Sequence, residues 1–259
     1  GEFVEANNDL ESFNSDGFTV GVGSSGRINT SSRTYVAWQW KANGGTTASN
    51  TDGNITSTVQ ANQDAGFSIV TYTGTGANAT VGHGLGVAPS VVLVKSRNEA
   101  NYWVMYHHNS SSTPQSNYLL LDNTGAMGTF NNYWSSSAPS STVFGLIGGG
   151  YSHNKSSINY VAYCFAEKQG YSKFGSYVGN GNANGAFVYT GFKPAFIMTK
   201  RTDTTGNWLM YDNKRIGHNP NNYELYANLT NVEEDNDRMD ILSNGFKMRA
   251  SPNETNGAN

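Results

Sequence analysis

Few side chains in this sequence stand where they could do chemistry, and each has a plainer role. Gly82-His83-Gly84-Leu85-Gly86-Val87-Ala88-Pro89 sets a histidine among glycines. A glycine-rich loop cradles phosphate when a helix N-terminus stands behind it. Here Pro89 and the Val91–Val94 run follow, so a tight turn between strands is expected. His107-His108 offers two imidazoles, but neighbours on a strand point to opposite faces and rarely share one ion. They read as exposed loop residues. Glu233-Glu234-Asp235-Asn236-Asp237 has oxygens for calcium yet lacks the spacing and glycine of a calcium loop, so a solvated turn is expected. Cys164 is the single cysteine and has apolar neighbours, which predicts a buried, inert thiol. Without a second cysteine there is no disulfide within the chain and no cysteine-based zinc site. No serine nucleophile elbow is present, and no carboxylate pair stands out as a glycosidase acid and nucleophile. No catalytic residue, metal site or cofactor is expected.

The aromatics Trp103, Tyr106, Trp208 and Tyr211 are the candidate ligand-binding residues. Exposed, their rings would stack on the apolar C–H faces of sugars. On a strand Trp103 and Met105 share one face while Val104 and Tyr106 share the other. The competing reading puts the tryptophans in a sandwich core, with the tyrosines at its edge.

The elements that must position these residues are repeated. Tyr72, Pro89, Lys95, Trp103, Met105, Tyr106 and Tyr118 each have a partner 105 residues later, at Tyr177, Pro194, Lys200, Trp208, Met210, Tyr211 and Tyr223. An offset shared by such residue types sets the fold question first. At that offset Val188 stands where His83 does, and Asp212-Asn213 where the histidine pair does. A second element recurs: Tyr35-Val36-Ala37-Trp38-Gln39-Trp40 matches Tyr160-Val161-Ala162-Tyr163-Cys164-Phe165, each after a Gly-Phe or Val-Phe strand. A third such opening, Gly245-Phe246-Lys247-Met248, is not followed by a Tyr-Val-Ala strand.

These matches divide the chain into terminal strands of a preceding unit (1–40) and a Gly/Thr/Asn-rich connection (41–65). A complete unit (66–165) and a second unit lacking its final strand (170–259) follow. The Tyr35–Trp40 strand would close that second sheet within the chain or be donated to a neighbour. Otherwise the chain is a piece of a longer array.

Strand signals fall at Ser68–Tyr72, Ser90–Lys95, Tyr102–Tyr106, Tyr118–Leu121, Thr142–Leu146 and Tyr160–Phe165. In the second unit they fall at Phe174–Tyr177, Ala195–Lys200, Trp208–Tyr211, Tyr223–Tyr226 and Phe246–Met248. No window sustains a 3.6-residue period. The fold class is therefore all-β, with tandem antiparallel β-sandwich or jelly-roll-like units; a propeller is the alternative, but units this long exceed one blade.

Composition agrees. Only 14% of residues are charged, and net charge is −3, so the basic face that nucleic acid requires is missing. No apolar run approaches the ~20 residues that span a bilayer. No basic stretch followed by an apolar one marks a signal peptide, and the single cysteine identifies no compartment, though a protein built in a cytosol and released by lysis would look like this.

Tyr35–Ala42, Gly66–Pro89, Tyr160–Glu167 and Gly170–Tyr177 together resemble a repeat domain in structural proteins of marine tailed bacteriophages, over nearly the whole chain. The resemblance implies a virion-associated protein, such as a tail fibre or other surface appendage, and no catalytic residues. A host cell-surface glycan or protein, other virion proteins and further copies of the chain are the expected partners. A purely structural capsid or tail decoration protein, a secreted adhesin and a polysaccharide-degrading spike are the rival readings.

Overall fold

Strands form here where β-branched and aromatic residues alternate, because a pleated ribbon turns every second side chain to one face. In Asn159–Phe165, Tyr160, Ala162 and Cys164 are buried, while Val161, Tyr163 and Phe165 are half-buried on the other face. The computed structural model describes residues 9–21, 28–43, 45–129, 132–150, 152–215, 219, 221–252 and 254–258. Residues 1–8 and 259, the outer ends of the flanking units expected from sequence, lie outside the described residues.

The chain is all-β. It opens with β1 (Leu10–Phe13) and β2 (Phe18–Val20), which pair with each other. The first unit holds β3 (Ala48–Asn50), β4 (Ser57–Asn62), β5 (Phe67–Thr73), β6 (Ala79–Gly82), β7 (Val91–Ser96) and β8 (Val104–His107). After a 3-10 turn at Pro114–Ser116 come β9 (Asn117–Leu120), β10 (Gly128–Thr129), β11 (Val143–Leu146) and β12 (Asn159–Phe165). The second unit holds β13 (Phe187–Tyr189), β14 (Phe196–Lys200), β15 (Trp208–Asp212), β16 (Asn221–Tyr226), β17 (Glu234–Leu242) and β18 (Gly245–Met248).

Eight antiparallel strands form the sheet β10-β9-β8-β7-β12-β5-β4-β3, and the pair β11-β6 faces it. Val70, Val92, Val94, Val104, Tyr106 and Tyr160 from the sheet meet Val81, Phe144 and Leu146 from the pair in one buried core, giving a sandwich-like arrangement. The second unit is a six-stranded antiparallel sheet, β13-β18-β17-β16-β15-β14, around Ile197, Leu209, Tyr211, Met239, Ile241, Phe246 and Met248. A third cluster joins the units: Trp208 packs against Val91, Met105 and Leu119, and its indole N–H donates to the Leu120 carbonyl (2.8 Å).

The two units repeat in hydrogen bonds as well as in sequence. Phe144 lies opposite Val81 on β6, and Phe246 lies opposite Val188 on β13. His83 N–H donates to the Thr142 carbonyl (3.2 Å), and Thr190 N–H to the Asn244 carbonyl (3.0 Å). Val188 is therefore the counterpart of Val81, and Thr190 that of His83. The uniform 105-residue offset fails on this strand because two residues are gained between Gly181 and Val188 and two are lost again between this turn and Pro194, length changes at surface turns that leave the ladder intact.

One repeated device went unread in the sequence. Asn154 and Asn256 are both fully buried. Asn154 accepts from Thr75 N–H (3.0 Å) and donates to the Ala77 carbonyl (2.6 Å). Asn256 accepts from Asn180 N–H (3.1 Å) and donates to the Asn182 carbonyl (2.7 Å). In front of each, a tyrosine hydroxyl (Tyr72 or Tyr177) donates to the carbonyl just before the asparagine, both at 2.6 Å. Gly74 and Gly179 pass so close to the chain after each asparagine that a Cβ would collide with the Lys155 or Gly257 carbonyl.

Four expectations are corrected. Residues 41–65 are not a plain connection: they carry β3 and β4, with Ile55 and Val59 in the core, because Ser57–Ala61 alternates and finds a ladder on β5. The acidic run is not a solvated turn. From Glu234 it opens β17, with Asp235 and Asp237 outward and Glu234 and Asn236 turned toward neighbouring polar groups. Phe174–Tyr177 and Tyr35–Trp40 join no sheet among the described residues. A strand is completed by its neighbours' backbone groups, and the position of β12 in the second unit is empty among the described strands.

Candidate binding surface

The structure turns most of the sequence-nominated aromatics inward. Tyr106 is 2% exposed, Tyr211 0% and Trp208 3%, so none presents a ring face to a ligand. The alternation reasoning explains why. Val104 and Tyr106 face the first core while Met105 faces the cluster between units, so both faces of this strand are covered. Trp103 is half-buried and lies nearly parallel to Tyr163, with centroids 6.2 Å apart. Neither tryptophan fills a sandwich core: Trp208 is buried in the cluster between the units and Trp103 is half-buried against Tyr163, while the tyrosines are interior rather than at an edge.

His83 is fully buried and braces its turn: Nδ1 accepts from Leu85 N–H (3.2 Å) and Nε2 lies 3.2 Å from the Ser140 carbonyl. Burial lowers its pKa. The rings of His107 and His108 stand 5.7 Å apart at 44°. Burial, then the neighbouring His108, holds His107 down to about 4. His108 Nε2 is 2.9 Å from the Phe174 carbonyl. The pair is half-buried rather than in an exposed loop, and it ties the units together. No group of three or more His, Cys, Asp or Glu placed to hold a metal occurs among the described residues. The Cys164 thiol is buried, and its burial pushes it up to about 12, so it stays protonated and unreactive.

A polar cluster not foreseen from sequence surrounds Glu224, which is fully buried. Its carboxylate accepts from Tyr211 Oη (2.8 Å), Tyr226 Oη (3.0 Å), Arg238 Nε (3.0 Å) and Asn236 Nδ2 (2.8 Å). Burial and the adjacent carboxylate raise the Tyr211 hydroxyl far above its usual range. The first unit carries Leu119 at the matching position, 105 residues earlier. Every oxygen of this carboxylate is engaged, so the cluster is a closed ionic core and not a reaction site.

An open concave feature lies on the outer face of the first unit. A cavity of about 270 Å³ is lined by Thr56, Thr58, Thr71, Thr73, Asn159 and Arg97, with Tyr72 and Tyr160 behind them. Thr58 lies directly opposite Thr71, and Thr73 directly opposite Asn159, whose side chain accepts from the threonine hydroxyl (3.0 Å). Adjacent strands thereby hold a row of hydroxyls beside one guanidinium. Such a surface can exchange hydrogen bonds with a polyol and hold a weak anion; it contains no nucleophile activated by a base. Thr56 and Thr58, and Thr71 and Thr73, stand two apart in the sequence, but only the pairing of β4 with β5 sets Thr58 beside Thr71.

No helix among the described residues is long and apolar enough to cross a membrane. The profile of a family described only as a domain of unknown function (DUF7483) matches residues 1–259. No curated protein and no solved structure matches the chain.

Proposed function

The chain thus belongs to that family of unknown function, and we propose that it is a non-enzymatic adhesive module of a virion surface, part of a phage tail fibre or similar appendage, which engages a host-surface glycan. The observation that carries this reading is the threonine-lined cavity with Arg97 on its rim. Neutral hydroxyls suit the hydroxyls of a sugar, and a rigid antiparallel sheet keeps them in place at little ordering cost. The resemblance of the repeat motifs to structural proteins of marine tailed phages supports the setting. In a fibre, neighbouring copies and other virion proteins would flank the chain, and repetition of a weak site would supply avidity.

Thr56 and Thr58 are exposed on the cavity wall and can lose their hydroxyls without loss of packing. The double variant Thr56→Val/Thr58→Val is expected to weaken binding to host cells or their extracted glycans about thirtyfold, at about 1 kcal/mol for each of two hydrogen bonds. Unchanged binding with an intact circular dichroism spectrum would dismiss this surface as the site. Release of reducing ends from host polysaccharide by the native protein would overturn the non-enzymatic reading.

A further inference from the structure

In the first unit β12 fills the place between β5 and β7, pairing with both. In the second unit β14 takes the part of β7 but stands at the edge of its sheet. Asn213 N–H donates to the Ala195 carbonyl (3.1 Å), so Ala195, Ile197 and Thr199 turn their backbone groups to β15. By alternation Phe196, Met198 and Lys200 turn theirs to the open side. The Thr199 hydroxyl is buried without a partner on the core side of that edge. Beyond it runs Phe174–Tyr177, the counterpart of β5, anchored through Tyr177 but in no ladder.

We propose that the chain's own Tyr35–Trp40 segment is the strand this opening accepts, entering antiparallel to β14 with Trp40 opposite Phe196, Trp38 opposite Met198 and Ala37 opposite Thr199. That register is the one in which Phe165, Tyr163 and Ala162 pair with Val91, Leu93 and Val94. The segment is already beside the opening. The Trp38 and Trp40 rings lie 5.3 and 5.6 Å from that of Phe196, and Trp40 also meets Phe165 at 6.1 Å. Trp38 and Trp40, two apart, share the face on which Phe196 lies. The side chains that would turn inward are Tyr35, Ala37 and Gln39, all exposed in the docked arrangement.

The polar residues match across the proposed pair. Where the first unit sets Cys164 diagonally from Val94, the same positions here are Gln39 and Thr199. Diagonal neighbours on one face lie within reach of a long side chain. On closure the Gln39 amide meets the Thr199 hydroxyl, giving that buried group its partner. The amino-terminal segment is therefore a strap that completes the second unit.

The test uses the full chain carrying Ala37→Cys and Thr199→Cys, with Cys164 left in place because it is buried and protonated. Cysteines directly opposite in such a pair lie within disulfide reach. Mild oxidation is expected to give an intramolecular 37–199 disulfide, seen by peptide mass mapping in a protein that remains monomeric. In the unsubstituted chain, the Met198 and Lys200 amides are expected to exchange at least tenfold more slowly than those of an exposed loop. A disulfide-linked dimer would overturn closure within the chain and assign the opening to a second copy. No crosslink together with rapid exchange at Met198 and Lys200 would overturn the proposal outright.

Discussion

His153 shows how one buried side chain sets a response to acid. It is fully buried, its Nε2 lies 3.0 Å from the Ile147 carbonyl, and its Nδ1 has no partner. Nε2 therefore carries the proton and Nδ1 stays bare. Burial, against the pull of the Ile147 carbonyl, holds the group down to about 4. The folded state then refuses a proton that the unfolded chain accepts below about 6.5, so stability is full above that pH and falls as pH drops toward 4. Between pH 7.5 and pH 5 this site should remove about 2 kcal/mol. His107 is shifted in the same direction and adds to the slope. Urea unfolding at the two pH values should show a smaller acid loss for His153→Gln than for the native chain. An equal loss would take His153 out of the account.

Elements here are held by short polar inserts as much as by apolar contact. Each unit leads from its first strand segment into a Gly-x-Gly loop, and a buried asparagine ties that loop to the far end of the unit. Asn256→Ala would take away the partner of the Asn180 N–H, of the Asn182 carbonyl and of the Ala250 carbonyl, which Asn256 serves at 3.0 Å, all of them part-buried bonds. Each lost hydrogen bond costs on the order of 0.5–1.5 kcal/mol, so the second unit should open more readily. Hydrogen exchange should speed up across β13 and β18 while β5 and β12 keep their protection. Uniform acceleration through both units would mean that the clamp is not local.

The units act together because one tryptophan lies between them. Trp208 is buried against Val91, Met105 and Leu119, and the β9–β10 loop adds backbone bonds from Met127 to Thr202 (2.8 Å) and from Gly206 to Thr124 (2.9 Å). Trp208→Ala should cost about 3–5 kcal/mol. It should also turn a single urea transition, followed by far-ultraviolet circular dichroism, into two. One displaced transition would show that the units stay coupled without the indole.

Strand-forming runs, the absence of helical periodicity and the matched tyrosines, tryptophans and prolines were legible in residue order alone, since alternation and turn chemistry are local properties. Cys164 as an inert thiol was legible for the same reason. Depth was not. Whether Tyr106 and Tyr211 meet solvent depends on what packs over each face, and β17 exists only because β16 and β18 flank it, despite its acidic residues. The threonine cavity, the paired asparagines and the open edge of β14 likewise join residues that stand far apart along the chain. Local pattern sets which segments can be strands; long-range pairing sets which of them are strands, and which side chains are left to face water.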